Sequence, residues 1–455
     1  MKHQSGQSTM LMLIISLILM LTIVFVFNTA QLLSERQQAK MLADQAAYAT
    51  ATRQARLLNI NAYINRTQIA NQLAIAQGVS TASWAKYAAK TSDNISTATY
   101  WFPPVSAVFS KISTGLDYFA DYIGPYIEAY GVEVRALESA QAALNLVSNA
   151  TVLNTPTEFA ELTKSNSSDY DVRLVMSAST FPAQIMKQYV EKERQRMADV
   201  VLSSADPFIT NRSKNDILPK VIFAPGGWDE YRIHKAGGTE LVQLDEWKGV
   251  DTLSIHHYYK TIKRWRIRSR HDEMMPIGWG SALGSQLGED QAQRSGSYGG
   301  ASSTNPRARD YSENNTPQWD VRDNGGEMTG VGIPKFYELK DLNNKEMNFP
   351  FVISVKKSRN KLETVNRNSN LRMSPNFTVL DNYDELEGGK LRNGDMQAIT
   401  QAEVYFQRPW ELEVVGNQIN HEYGSLFSPY WKVRLSDDMD VSKRALVTAE
   451  AAWLN

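Results

Sequence analysis

The chain of 455 residues contains no cysteine. Disulfide bridges, thiolate metal ligands and cysteine nucleophiles are therefore excluded. Neither sign of charge dominates, because 48 Lys and Arg residues stand against 49 Asp and Glu residues. A balanced charge gives no indication of nucleic acid as a partner. The length is enough for two or three domains with a substantial core.

Sequence motifs of common catalytic centres are also lacking. The chain has no Gly-x-Ser-x-Gly elbow, no Walker or Gly-x-Gly-x-x-Gly loop and no His-Glu-x-x-His pair. His256 and His257 are adjacent within a strand-like pattern, so their side chains should point to opposite faces of a sheet. We therefore predict no metal site, no cofactor and no small-molecule substrate.

A long apolar run is present near the start of the chain. Met10 to Phe27 carries no charge, and as a helix its 18 residues would span about 27 Å, close to the ~30 Å hydrocarbon core of a bilayer. A cleavable signal has a shorter apolar region and a small residue where Asn28 stands. We predict an uncleaved transmembrane helix over 10–27, after a cytoplasmic leader over 1–9. Secretion after cleavage near Gln31 stays an alternative.

The helical pattern continues beyond the apolar run. Residues 28–77 contain no Pro and no Gly, and apolar residues recur there at steps of three and four. We predict a long amphipathic helix that ends near Gly78, within a helical region over 28–150. A second helical stretch in this region, interrupted at Gly124-Pro125, should fold back against the first as an antiparallel hairpin.

The rest of the chain favours an α+β fold whose C-terminal domain is mainly antiparallel and rich in β-strands. We predict an α+β region over 151–277, with an amphipathic helix over 183–205 and a continuous strand over 251–270. Residues 278–332 are rich in Gly, Ser and Asn, which predicts a flexible insertion. Residues 333–455 then continue the β-rich domain.

A basic strip is the most unusual charged feature. Alternation along a strand would place Arg264, Arg266, Arg268 and Arg270 on one face. Four like charges side by side repel one another and need a counter-charge. One interpretation is a binding strip for anionic lipid headgroups, a cell-wall polymer or an acidic subunit. The other is a solvated face whose arginines pair with Asp or Glu on a neighbouring strand.

Two ends of the chain carry a family resemblance. Gly6-Gln7 precedes the apolar run, and Glu35–Gln38 and the Ala-rich segment Ala43–Ala47 follow it. This pattern resembles the N-terminal segment of the tight-adherence (Flp) pilus-assembly TadE/TadG-like proteins. Near the C-terminus, AITQAEVYFQRPW and EYGSLFSPYWKVRL resemble the tail of large TadG-related proteins.

The chain departs from related patterns in two respects. In processed pilins a Glu occupies the fifth position after the cleaved Gly, whereas counting from Gly6 leads to Leu11. Processing by prepilin peptidase and polymerisation as a major subunit are therefore not expected. The Asp-x-Ser-x-Ser metal motif of some TadG-like proteins is missing, so no metal site follows from the resemblance.

The resemblance implies a non-enzymatic, single-span protein of the bacterial inner membrane, with its N-terminus in the cytoplasm and its bulk in the periplasm. It would serve a tight-adherence-type pilus or a related secretion apparatus. Its partners would be the lipid bilayer and other pilus-assembly or pilin-like membrane proteins.

The small residues of the anchor helix that could pack against such partners are Ala39, Ala43, Ala46 and Ala47. Packing of the same apolar stripe within its own domain is the alternative.

A membrane-anchored envelope hydrolase acting on a cell-wall or other polymer is the rival function. It would require a histidine and a carboxylate to meet in a cleft. His257 or His271 with Glu273 are the candidates for that pair.

Overall fold

The computed structural model describes residues 5–163, 170–175, 182–214, 216–224, 228–263, 265–285, 305–313, 318–320, 332–340, 348–357, 396–408 and 424–436. The chain divides into two compact units. The first comprises Met1–Ala62, Leu144–Lys187 and Glu338–Asn455, and the second comprises Tyr63–Ala143 and Gln188–Tyr337. The α+β class is confirmed, because long helices and mainly antiparallel sheets make up the described residues.

These units differ from the ranges predicted from sequence. Each unit combines part of the long helices with strands that are distant in the chain, and the ranges predicted from sequence stay predictions. Such a division depends on pairing between distant segments, which local sequence patterns do not encode.

Two long helices open the fold. α1 (Ser5–Ala98) and α2 (Pro103–Thr163) are joined by a short turn, and Pro103 opens α2, where a missing backbone N–H costs nothing. Asn65 and Gln141 bond each other across the pair, with Gln141 Nε2 donating to Asn65 Oδ1 at 2.8 Å. At the other end Ser96 Oγ donates to the backbone oxygen of Ser106. The predicted antiparallel hairpin is therefore confirmed.

The predicted helix end at Gly78 is wrong. Gly78 lies inside α1, and a Cβ at this position would come within 2.8 Å of Ile127 Cγ1 on α2. The glycine therefore lets the two helices approach closely, and this packing outweighs its cost of about 1 kcal/mol in helix propensity. The predicted break at Gly124-Pro125 is also wrong. Ile123 and Ile127 are buried on both sides of it, and α2 continues.

Short helices and strands make up the rest of the described part of the chain. The helices are α3 (Pro182–Ile185), α4 (Gln195–Ser203), α5 (Pro207–Thr210) and α6 (Pro306–Glu313). The strands are β1 (Tyr170–Val175), β2 (Met186–Tyr189), β3 (Val221–Ala224), β4 (Asp229–Val242), β5 (Glu246–Lys263), β6 (Arg266–Ser285), β7 (Gln318–Asp320), β8 (Phe336–Leu339), β9 (Asn348–Lys357), β10 (Met396–Phe406) and β11 (Trp431–Ser436).

Three further predictions are corrected by these elements. The helix expected over 183–205 is divided into α3, β2, a 3-10 turn and α4. The strand expected over 251–270 is a hairpin, because Lys263 pairs with Arg266 and the chain reverses between them. The insertion expected over 278–332 begins inside β6 and contains α6 and β7, whereas residues 286–304, 314–317 and 321–331 lie outside the described residues.

The first unit is built on an antiparallel sheet in the order β1-β9-β10-β11. The alanine-rich face of α1 shares one core with apolar side chains of this sheet, such as Phe351 and Ile353. Polar contacts fix the helix to the sheet at both ends of this core. Lys40 Nζ donates to Thr400 Oγ1 (3.0 Å) on β10, and Asn59 exchanges two hydrogen bonds with the backbone of Trp431 on β11.

The second unit is built on a sheet in the order β3-β4-β5-β6-β7. The C-terminal part of α1 lies against this sheet at very short range. A Cβ on Gly280 would collide with the backbone nitrogen of Tyr87 and come within 2.6 Å of the carbonyl oxygen of Ser83. Glycine is therefore required at this point of β6 for the helix to reach the sheet.

A buried ion pair lies at the same interface between helix and sheet. Asp251 on β5 accepts hydrogen bonds from Arg212 Nε (3.0 Å) and Nη2 (2.8 Å), and from Ser83 Oγ (2.8 Å) on α1. The side chains of Arg212 and Asp251 are 3% and 0% exposed. Because charges so deeply buried are stable only when fully paired, this network fixes the register of α1 on the sheet.

The close approach at Gly280 leads to a test. Gly280→Ala should destabilise the protein by about 1–3 kcal/mol, because the colliding atoms belong to the backbone and cannot rotate away. Gly115→Ala is the matched control, since a Cβ at Gly115 meets nothing and the change gains about 1 kcal/mol of helix propensity. Thermal unfolding of the full-length protein in detergent, followed by circular dichroism at a protein concentration too low for association, measures both. Equal melting temperatures for the two variants would contradict the packing argument.

Candidate functional site

The apolar run lies in α1 with its side chains uncovered. The large apolar side chains of residues 10–27 are exposed except Val24, which is partly exposed, and no part of this stretch is buried inside the chain. Its polar groups are satisfied within the helix, since Ser16 Oγ donates to the carbonyl of Leu13 (2.9 Å) and Thr22 Oγ1 to that of Ile18 (2.8 Å). This is the arrangement that a bilayer demands. The segment is thus long and apolar enough to span a membrane.

The alanines predicted for helix packing lie just beyond this segment. The structure buries all four in the core of the first unit, and they are Ala39, Ala43, Ala46 and Ala47. Their small side chains let α1 lie close to the sheet. Packing inside the chain, one of the two alternatives from sequence, therefore occupies this surface, and contacts with another protein must use other residues.

A buried charged group follows the apolar segment in the same helix. Glu35 accepts hydrogen bonds from Lys357 Nζ on β9 and from the Tyr170 hydroxyl on β1, both at 2.6 Å. The Lys357 ammonium also lies 4.7 Å from the centre of the Tyr170 ring. Because Glu35 is the first residue of the polar segment that resembles the pilus-assembly family, this part of the family pattern has a structural role in the fold.

The basic strip lies at the tip of the hairpin between β5 and β6. Arg264 is outside the described residues, whereas Arg266, Arg268 and Arg270 are exposed on β6. Their cross-strand neighbours on β5 are Lys263, Thr261 and Tyr259, so no carboxylate lies opposite them. In the described part of the chain none of the three arginines forms an ion pair. These observations favour a strip that is free to bind an external anion.

Exposed apolar side chains accompany these charges at the tip. Trp265 is 99% exposed and adopts a positive φ of 62°, which is unfavourable for a residue other than glycine. Ile262 and Ile267 form an exposed cross-strand pair beside it. The hairpin thus presents an aromatic tip, an aliphatic side and a basic side.

A cluster of histidines on the same sheet was missed by the sequence analysis. His256 Nδ1 and His271 Nε2 lie 2.6 Å apart, and His256 Nε2 lies 2.9 Å from Asn305 Oδ1. Since an amide oxygen only accepts, His256 donates from Nε2 and receives the proton of His271 at Nδ1. The ring of His234 packs edge-on against His256 at 4.8 Å, and its Nε2 lies 2.9 Å from the Tyr258 hydroxyl.

The histidine cluster could have been predicted only from the pairing of strands, because pairing brings together residues that are far apart in sequence. A register shift between Ile255 and His256 places His256 diagonally across from His271. Only the hairpin, which the sequence analysis did not predict, brings β5 and β6 side by side. Among the residues that the structure describes, no group of three His, Asp or Glu side chains is arranged to hold a metal ion.

Burial sets the protonation of two of these histidines. The pKa of His234 is lowered by burial, then by the nearby His256, His271 and Arg232, while Asp216 opposes the shift. The pKa of His256 is lowered by burial and by His271, while the bond to Asn305 and the charge of Glu273 raise it. Both side chains are therefore neutral in the folded protein around neutral pH.

The pair required by the rival hydrolase function is not formed as predicted. Both oxygens of Glu273 accept hydrogen bonds at the start of α6, from the backbone N–H of Arg307 (2.7 Å) and of Ala308 (3.1 Å). Its Oε1 also accepts from the Ser254 hydroxyl (2.6 Å). His257 instead pairs with Asp229, with Nε2 and Oδ1 2.6 Å apart. Glu273 therefore has a structural role as a helix cap.

The second unit also contains an open polar cleft of about 760 Å³. Residues of α1, α2 and β6 line it, and Lys86, Lys90, Asp93 and Trp279 are among them. Neither His257 nor Asp229 belongs to this lining. A histidine–carboxylate pair and a cleft are thus both present in the second unit, but they do not coincide.

The comparisons with known proteins agree with the geometry of the N-terminal segment. Residues 6–53 match the model of the Tad family, described as putative Flp pilus-assembly TadE/G-like. The match contains the exposed apolar segment, Glu35 and the buried alanines, and it confirms the resemblance predicted for this part of the chain. Neither a curated protein nor a solved structure matches the chain. The resemblance of the C-terminal segments therefore stays a prediction.

The buried pair of Glu35 and Lys357 can be tested by substitution. Glu35→Ala leaves the Lys357 ammonium buried without a counter-charge, which should cost about 3–5 kcal/mol of stability. Lys40→Met on the same helix removes a partly exposed charge and should cost about 1 kcal/mol or less. Denaturant unfolding of the full-length protein in detergent measures the difference. If both variants lose the same stability, the pair does not hold α1 on its sheet.

The histidine cluster predicts how stability depends on pH. The folded pKa values of His234 and His256 lie below the value of about 6.5 expected for the unfolded chain. Below pH 6.5 the unfolded chain thus binds more protons, so stability is full above pH 6.5 and declines as the pH falls further. His234→Gln should flatten this decline in melting temperature between pH 7.5 and 5. Tyr258→Phe removes a hydrogen bond without a titrating imidazole and should keep the slope.

Proposed function

We propose that the chain is a structural component of a tight-adherence-type pilus or a related secretion apparatus, anchored in the membrane by the apolar part of α1. The proposal is supported by two findings that concern the same segment of the chain. The segment that matches the pilus-assembly family is the one whose apolar side chains lie uncovered. A TadE/G-like segment with such a helix fits a membrane-anchored pilus component.

The topology belongs to the same proposal. The helix crosses the bacterial inner membrane once, with residues 1–9 in the cytoplasm and the two folded units in the periplasm. The protein acts through contacts with other pilus-assembly or pilin-like membrane proteins rather than by catalysis. Two points support a non-catalytic role: the matching family is generally structural, and the histidine–carboxylate pair lies outside the cleft.

The basic strip is the surface that we assign to one of these partners. Arg266, Arg268 and Arg270 lack carboxylates on the neighbouring strand, and Trp265 stands fully exposed beside them. Arginine and tryptophan are enriched where binding energy concentrates in protein interfaces. An acidic surface of another subunit with an apolar depression would satisfy both the charges and the exposed ring. This contact would weaken as ionic strength rises.

Membrane fractionation tests the anchor. Leu17→Lys combined with Leu21→Lys places two charges in the centre of the span, each opposing insertion by roughly 3 kcal/mol. We expect the full-length variant to leave the membrane fraction, while the wild type stays there after a carbonate wash. Arg56→Lys and Arg66→Lys, outside the span, form the control. Recovery of the wild-type protein from the soluble fraction would overturn the proposal.

A charge-reversal experiment tests the basic strip. Replacing Arg266, Arg268 and Arg270 by Glu should abolish piliation in the producing bacterium, while the protein stays in the membrane at its normal level. The control reverses three exposed cations elsewhere in the second unit, namely Arg66, Arg135 and Lys192. Electron microscopy of surface pili is the measurement. Normal piliation of the first variant would reject the strip as a partner surface.

A further inference from the structure

The helix α2 carries two apolar faces, of which only one is covered. Ala120, Ile123, Ile127 and Val134 are buried. Ile127 packs against α1 at Gly78. This face accounts for the pairing of α2 with α1.

The second face forms an exposed seam along α2, and one of its members, Tyr126, also contacts α1 beside Gly78. Its members recur at alternating steps of four and three, and all are exposed: Val108, Ile112, Gly115, Phe119, Tyr122, Tyr126 and Ala129. Tyr122 is 79% exposed, and the other large side chains are close to half exposed. A seven-residue repeat of apolar residues is the pattern by which one helix packs along another. We refer to these seven residues as the outer seam.

We propose that the outer seam binds the outer seam of a second copy of this chain, with the two α2 helices antiparallel. The seam is complementary to itself in this arrangement. When Phe119 of one copy faces Tyr122 of the other, the same register places Gly115 opposite Tyr126 and Ile112 opposite Ala129. Ile112 and Tyr126 of each copy then face a small residue, and Val108 faces Glu133, the next position of the repeat.

Gly115 is the residue that favours this occupant most directly. A Cβ at this position meets no atom within 4 Å, so the packing of the single chain gives no reason for a glycine there. Glycine inside a helix costs about 1 kcal/mol relative to alanine. Opposite the tyrosine ring of a second copy, the missing side chain provides the space that the ring occupies.

Charge favours the antiparallel direction over the parallel one. Lys111 and Glu133 flank the two ends of the seam, both exposed and without an ion pair in the described part of the chain. Antiparallel packing brings Lys111 of one copy close to Glu133 of the other at both ends. Parallel packing would instead bring together two Lys111 side chains and leave a gap between two Gly115 residues.

The area of the seam is sufficient for a specific complex. An aromatic side chain buries roughly 150–250 Å² when fully covered, so five half-exposed large side chains and their neighbours contribute roughly 600 Å² per copy. The total of roughly 1,200 Å² is at the lower end of stable protein interfaces. This dimer does not depend on the pilus role and can be tested in purified protein.

Disulfide cross-linking distinguishes the direction of pairing, and the lack of native cysteine makes every introduced thiol unique. Ile112 and Ala129 lie about 25 Å apart along one helix. We expect no dimer band from Ile112→Cys alone or Ala129→Cys alone, and a strong band when full-length versions of the two are mixed in detergent and oxidised. Thr114→Cys mixed with Glu128→Cys, exposed on α2 but outside the seam, is the control. A band from Ile112→Cys alone would indicate parallel pairing and overturn the proposal.

A second variant separates pairing from folding. Gly115→Lys fits the single chain without a clash, so its melting temperature should equal or exceed that of the wild type when both are diluted until monomeric. It fills the space of the partner's ring, and we expect the dimer to dissociate at least tenfold more readily in light scattering of the full-length protein in detergent. Thr114→Lys adds the same charge at the neighbouring exposed position and should leave the dimer intact.

Three outcomes would overturn the inference. The wild type could be monomeric at tens of micromolar protein. The seam cysteines could cross-link no more than the control pair, or the two lysine variants could dissociate equally. If the wild type is monomeric and Gly115→Lys instead releases a different copurifying protein, the seam serves that protein and the self-pairing proposal fails.

Discussion

The contact between α1 and a sheet that carries glycine at the point of contact is the constraint on which the second unit depends. Packed layers of secondary structure normally lie about 10 Å apart, as two stacked sheets do, because side chains separate their backbones. At Gly280 the backbone of α1 comes so near that not even a methyl group fits. This proximity brings Ser83 within hydrogen-bonding distance of Asp251, and the carboxylate in turn holds Arg212. The absence of a side chain at Gly280 thus allows Asp251 to be buried with all its partners in place.

The features that local patterns encode were predictable. The uncharged run over 10–27 predicted the exposed apolar segment of α1, and the recurrence of Leu42 and Ala46 predicted that the helix continues beyond it. The hairpin of α1 and α2 followed from their helical patterns and the prolines between them. In each case a short stretch of sequence is enough to predict the element, and contacts with distant residues do not alter it.

The features decided by distant partners were not predictable. From sequence alone Gly78 indicates a helix end, and only its contact with Ile127 explains why α1 continues through it. In α2, buried residues on both sides of Pro125 keep the helix continuous. The hairpin turn at Trp265 lacks the Gly or Asn that usually marks such a turn, so two strands read as one. The histidine cluster depends on that turn, because His256 and His271 meet only across the hairpin.

Residues of the family pattern are buried in the first unit, whereas other, exposed residues are available for contacts in the described part of the chain. The alanines of α1 and Glu35 belong to the interior of the first unit, although the family pattern contains them. The partner surfaces that we propose lie elsewhere, on the hairpin tip and along the outer seam of α2. A sequence pattern shared with a family can therefore reflect the fold of a domain as well as its contacts with other proteins.

The pairing of β6 has a consequence for solubility. Its neighbour on one side is β5, while β7 covers the other side only at residues 283–285. In the described part of the chain, residues 266–270 thus form an open strand edge, the kind of surface that recruits strands from other molecules. Three arginines on that edge repel an identical edge, and this repulsion disfavours edge-to-edge aggregation. Neutral β-branched residues at these positions would remove both this repulsion and the charges of the proposed binding strip.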